Sequence, residues 1–173
     1  MNGEKERGFT VIEFVVVVAI VSINAAVATP ALLRAQMAGN EASAIGSLKL
    51  TTSAQVAYSA ACGNGGYAAT YVVLGTPPPG GESGFVPGDL GAAVAPQKGG
   101  YNFTLGPGAG ALAGPYDCNG TGTITTYYAA GVPMTAGTTG TRSFAVSHRN
   151  VIWQLPGGTA PKEPFGAPAT PIQ

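Results

Sequence analysis

From Phe14 to Leu33 the chain reads FVVVVAIVSINAAVATPALL, without a single charged side chain. At about 1.5 Å per helical residue this run covers about 30 Å, the thickness of a bilayer's hydrocarbon core. Glu13 stands at its edge. A carboxylate carried to the bilayer centre costs about 2.5–3.5 kcal/mol on insertion scales, so its presence there calls for a compensating partner.

Residues 1–8, MNGEKERG, are short, polar and charged, and residues 9–29 are apolar and rich in Val, Ile and Ala. Pro30 then removes one backbone donor and crowds the preceding turn, which predicts a kink near Ala26 to Pro30 rather than a stop. Beyond it, ALLRAQMAGNEASAIGSLKLTTSAQVAYSAAC has helix-forming composition and no further Pro. Ile45, Leu48, Thr52 and Val56 recur at spacings of three and four, leaving Arg34, Glu41 and Lys49 on other faces. One helix from Phe9 to Ala61 would be about 80 Å long. The remaining hundred or so residues cannot cover it. Its first half must be buried in something else.

The composition changes at Gly63. GNGG and TPPPGGESG are loop signals, and the chain's 27 Gly and 14 Pro suit a β-rich, loop-rich head. YNFTL (101–105) and GTITTYYAA (122–130) read as strands. RSFAV (142–146) and NVIWQL (150–155) read as a hairpin turning at Ser147-His148-Arg149, with Phe144, Val146, Val151, Trp153 and Leu155 alternating. The tail has Pro at 156, 161, 164, 168 and 171, and is expected to be extended or disordered rather than a core element. Cys62 and Cys118 lie beyond the apolar run. If that run exports the rest, the even count reads as one disulfide, the other reading being two unrelated buried thiols. A bridge closing a loop of about 57 residues would stabilise by roughly 4 kcal/mol in the chain-entropy model.

Eight basic and eight acidic residues cancel, so no field attracts nucleic acid. The single histidine, His148, falls in the expected hairpin turn, where a turn residue outweighs a catalytic base. Glu82, Asp89, Asp117 and Glu163 are too scattered to suggest an acid–base pair. GPGAGALAG follows a strand but opens no helix, which argues against a nucleotide site. CxxC spacing is absent, so no zinc or thioredoxin-type centre is supported. Asn102 and Asn119 each begin a bare glycosylation sequon, although Asn119-Gly120 reads better as a turn. Neither an enzyme nor a metal or cofactor is expected.

Two mechanisms could read residues 1–30. One is a secretory signal peptide, with Lys5 and Arg7 as its basic region and Ala26-Val27-Ala28 as a cleavage site that frees a soluble binding module from Thr29. Glu13, early in the apolar run, argues against it. The other rests on KERGFTVIEF, which resembles the class III leader of type IV prepilins. Pro30, twenty-one residues after Phe9, and the long amphipathic continuation are similar to the same family.

The resemblance implies an α+β pilin-like fold, a long kinked N-terminal helix packed against a small antiparallel sheet. Its divisions would be a leader (1–8), a transmembrane and filament-core helix (9–33), an amphipathic continuation (34–61), a β-rich head (62–155) and a Pro/Gly-rich tail (156–173). It further implies that a membrane-embedded prepilin peptidase cuts between Gly8 and Phe9 and methylates the new Phe9 amine. Assembly machinery in the inner membrane of a Gram-negative bacterium would then draw subunits into an extracellular, homo-oligomeric helical filament. Within the bundle, the carboxylate matching Glu13 would pair with a neighbouring subunit's amine and so set the axial offset.

This chain departs from the family pattern in places. Val dominates after Glu13, and Val11 stands where a leucine is common. Ser22 stands where Gly is frequent, which bears on loosening of the helix between Ser22 and Pro30. Cys62 and Cys118 bracket the region after the helix instead of closing a C-terminal loop. A pseudopilin of a type II secretion system shares every N-terminal feature, but major pseudopilins commonly carry a calcium loop near the C-terminus. Here Glu163 is the only carboxylate after Asp117.

Overall fold

The computed structural model describes residues 9–172. Gly8 and the rest of the expected leader, residues 1–8, lie outside the described residues. The chain divides into two compact units, one reaching to Gln36 and one from Met37 onward. Helix α1 (Val11–Ala61) contributes to both. It begins two residues later than expected, because Thr10 is its N-cap. Its end matches the expectation. Gly63 N–H donates to Tyr58 O (2.7 Å) and Gly65 N–H to Ser59 O (3.0 Å). Asn64 (φ 48°) and Gly65 (φ 86°) turn the chain away, so the last carbonyls keep donors as the helix stops.

In the second unit, residues of α1 from Glu41 to Tyr58 pack against an antiparallel six-stranded sheet, an α+β, pilin-like architecture. Two short helices, α2 (Tyr71–Gly75) and α3 (Gly88–Gly91), follow α1. The strands are β1 (Gln97–Lys98), β2 (Tyr101–Pro107), β3 (Ala113–Tyr116), β4 (Gly122–Ile124), β5 (Tyr127–Pro133), β6 (Arg142–Ser147), β7 (Ile152–Pro156) and β8 (Thr170–Pro171). The main sheet runs β1-β2-β5-β6-β7-β8, and β3-β4 form a separate hairpin. The stretch 122–130, read as one strand, is thus split between two sheets at Thr125-Thr126.

The face of α1 that meets the sheet is not the one the apolar pattern indicates. Glu41, Ala44, Ser47, Leu48, Thr51, Ala54, Gln55 and Tyr58 are buried, whereas Val56 is 51% exposed. Of the expected stripe, only Leu48 is fully buried. Several core-facing positions are polar but satisfied. Gln55 donates through Nε2 to Ala68 O (2.8 Å) and accepts from Ala68 N–H (2.9 Å), and the Thr51 and Tyr71 hydroxyls lie 3.0 Å apart. A buried polar group with its partners in place is as compatible with a core as an apolar one.

The hairpin forms, but its turn lies at residues 148–151, with Asn150 at φ 63°, rather than at Ser147-His148-Arg149, and its faces divide differently. Phe144 lies opposite Gln154 and Val146 opposite Ile152, on the face toward α1, while Trp153 lies opposite Ala145 on the other face. Trp153 therefore does not join the Phe144 core. The tail covers it. Phe165 stacks on Trp153 (ring centroids 5.4 Å apart, planes 10° from parallel) and, at 6.1 Å, on Tyr128. Tyr128 OH donates to Pro161 O (2.5 Å), and β8 pairs with β7 to complete the sheet. The Pro-rich tail is extended, as its composition indicates, but it is a packed layer rather than a loose end.

Candidate functional site

The sequence points to the N-terminal segment. Every residue from 9 to 36 is exposed, including Phe9 (70%), Ile12 (72%) and Val27 (74%). An eighteen-residue window of α1 reaches a mean hydropathy of 2.5, long and apolar enough to cross a membrane. Water is a poor surrounding for such a surface. At about 25 cal/mol per Å², each large side chain left open forgoes about 1.5–3 kcal/mol.

Between Phe14 and Leu33 the segment's three polar side chains are paired within the helix. Ser22 Oγ donates to Val18 O (2.7 Å), Asn24 Nδ2 to Ile20 O (2.8 Å) and Thr29 Oγ1 to Ala25 O (2.8 Å). Such back-bonds hide donors that lipid or a dry bundle would leave unsatisfied. The helix is unbroken between Ser22 and Pro30, so it is not loosened there. Pro30 lies inside α1 without ending it.

Glu13 has a partner the sequence reading passed over. Thr10 N–H and Thr10 Oγ1 both donate to Glu13 Oε2, at 2.8 and 2.6 Å, and Glu13 N–H donates back to Thr10 Oγ1 at 3.3 Å. This is a capping box, a Thr N-cap and a Glu three residues on that satisfy each other's backbone donors. The signal was legible in Thr10-Val11-Ile12-Glu13, a T-x-x-E ahead of an apolar run. Glu13 Oε1 accepts no hydrogen bond among the described residues, so the carboxylate can cap its own helix and still receive a cation.

In the second unit, Cys62 and Cys118 form a disulfide with Cα atoms 4.8 Å apart, joining the end of α1 to the loop after β3. Cys118 N–H donates to Cys62 O (2.8 Å) beside it. Tyr58 OH donates to Asp117 Oδ2 (2.6 Å), whose Oδ1 accepts from Asn119 and Thr121 N–H at 2.9 and 2.6 Å. Burial, and then the Asp117 carboxylate, push the Tyr58 hydroxyl well above its ordinary pKa and keep it a donor. These contacts fix the junction that the bridge ties.

Compared with protein-family models, with curated proteins and with solved structures, the chain matches none.

Proposed function

We propose that the chain is the subunit of a type IV pilus-like filament, held in the inner membrane by α1 before assembly and packed through it afterwards. The observation that carries this reading is the wholly exposed apolar segment of residues 9–36, headed by a capped Glu13 with a free carboxylate oxygen. The GFTVIEF sequence at its head supports cleavage between Gly8 and Phe9. Intrahelical pairing of Ser22, Asn24 and Thr29 suits both surroundings that the segment would meet, lipid first and a helix bundle second.

The deciding measurement is the mass of the mature N-terminus. N-methyl-Phe9 is expected. A chain beginning at Thr29 would instead indicate a released soluble head and remove the filament reading. Replacing Gly8 by a bulky residue should leave full-length precursor in the membrane fraction.

A further inference from the structure

A cleft of about 320 Å³ opens where the turn after β6 meets the tail. Its volume falls within the range of small-molecule sites, about 300–1,000 Å³. His148, Arg149, Val151, Trp153, Glu163 and Phe165 line it, and four of these bring polar groups with no hydrogen bond among the described residues. They are the Arg149 guanidinium, the Trp153 indole N–H, Glu163 Oε1 and the His148 imidazole, whose Nδ1 is also shut off from solvent. Glu163 is nevertheless fixed. Its Oε2 accepts from Ala109 N–H at 2.6 Å, leaving the other oxygen for a ligand. The indole is held by its stack on Phe165.

We infer that this cleft is a binding site for a neutral pyranose sugar. Arg149 disfavours a simple cation and Glu163 a simple anion, while a wholly apolar guest would leave all four groups unpaired. Neighbouring hydroxyls of a sugar ring both donate and accept. One can donate to Glu163 Oε1 while its neighbour accepts from Arg149 or the indole N–H. Val151, Trp153 and Phe165 supply an apolar wall for the ring's C–H face. The inference concerns the head alone and stands apart from the proposed processing of the N-terminus.

Trp153 is the chain's only tryptophan, so its fluorescence reports on this cleft directly. The test titrates the detergent-solubilised full chain with methyl glycosides of glucose, galactose, mannose and N-acetylglucosamine, and with alanine as a zwitterionic probe. At least one glycoside should give a saturable change in the millimolar range. Arg149→Ala and Glu163→Gln should each weaken it by about tenfold or more. Gln at 163 can still accept from Ala109 N–H, and the Arg149 side chain bonds no described residue, so both variants should keep the native emission spectrum. Absence of saturation with every glycoside, equal binding by both variants, or saturation by alanine alone would each overturn the assignment.

Discussion

Arg142 on β6 grips Glu41 on α1, donating from Nε and Nη2 to the same carboxylate oxygen at 2.9 and 2.6 Å. The other oxygen accepts from the N–H and hydroxyl of Thr141 at 2.8 and 2.6 Å, and Arg142 Nη1 reaches Gln154 at 2.6 Å. Helix, strand and the turn before the strand thus meet at one buried carboxylate. Half of the pair is solvated, since the Arg142 side chain is 41% exposed, which tempers the ion-pair contribution. Hydrogen bonds to a buried charge count for more. Glu41→Gln should destabilise the head by about 1–3 kcal/mol, and Arg142→Lys, which loses the two-pronged grip, should fall between it and the native chain. Thermal unfolding followed by near-ultraviolet circular dichroism measures both.

The same carboxylate sets an acid sensitivity. Burial pushes Glu41 up, but the hydrogen bonds from Thr141 and Arg142 outweigh it and hold the group below its ordinary value of 4.5. A depressed folded pKa stabilises above the unfolded value, and the contribution fades as pH falls through the folded one. The melting temperature should therefore be insensitive to this group above about pH 5 and decline on further acidification. In Glu41→Gln that share of the decline should vanish.

Phe165 fastens the tail by lying between Trp153 and Tyr128. Phe165→Ala should uncover both rings, shift Trp153 emission to the red and destabilise by about 1–3 kcal/mol. That is less than the 3–5 typical of a fully buried Phe, because this ring is only half-buried.

Much of the fold was legible because it follows strong local signals, alternation in strands and Gly-rich breaks at helix ends. The end of α1 at Ala61, the strand at 101–105 and the 142–155 hairpin are examples. The helix face was misread for a physical reason. Glu41, Thr51 and Gln55 point inward with partners supplied by residues distant in sequence, and no local pattern announces those partners. Trp153 was misassigned because β6 is buried on both faces, so alternation could not tell which face belonged to α1. The tail deceived by composition. Its prolines exclude a central strand but not an edge strand or a covering layer. At the N-terminus, the apolar run points to lipid, while the T-x-x-E spacing ahead of it gives Glu13 the simpler local role of partner to Thr10.

Gly75 and Gly91 are where α2 and α3 touch. A Cβ at Gly75 would lie 2.6 Å from Gly91 Cα, and one at Gly91 2.8 Å from Gly75 Cα. Backbone meets backbone there, and no flexible side chain can yield. Gly91→Ala should destabilise by about 1–3 kcal/mol. Gly88→Ala, in the same helix and with nothing within 4 Å, should be neutral or slightly stabilising. Equal melting temperatures for the two variants would show that α2 and α3 can move apart freely.

The roles open to Glu13 can be separated because capping and charge belong to different atoms. Capping needs an acceptor at the third helical position and the Thr10 hydroxyl, and a Gln serves there as well as a Glu. Pairing with a neighbouring subunit's amine needs the negative charge. In the proposed filament that amine would be Phe9's, four residues or about 6 Å along a helix from Glu13, so the neighbour would be displaced axially by about that distance. Three variants follow. Thr10→Ala should weaken the first turn by about 0.5–2 kcal/mol yet still assemble, since the carboxylate remains. Glu13→Gln should keep the cap, enter the membrane and be processed, but yield few or no filaments, because an unpaired amine in an apolar bundle costs several kcal/mol. Glu13→Val should insert most readily, lose the cap and also fail to assemble. Each is expressed as the sole copy and scored for processed protein, membrane fraction and sheared filaments. Filaments from Glu13→Gln as abundant as those of the native chain would reduce Glu13 to its capping role, and the axial offset would then have to be set elsewhere.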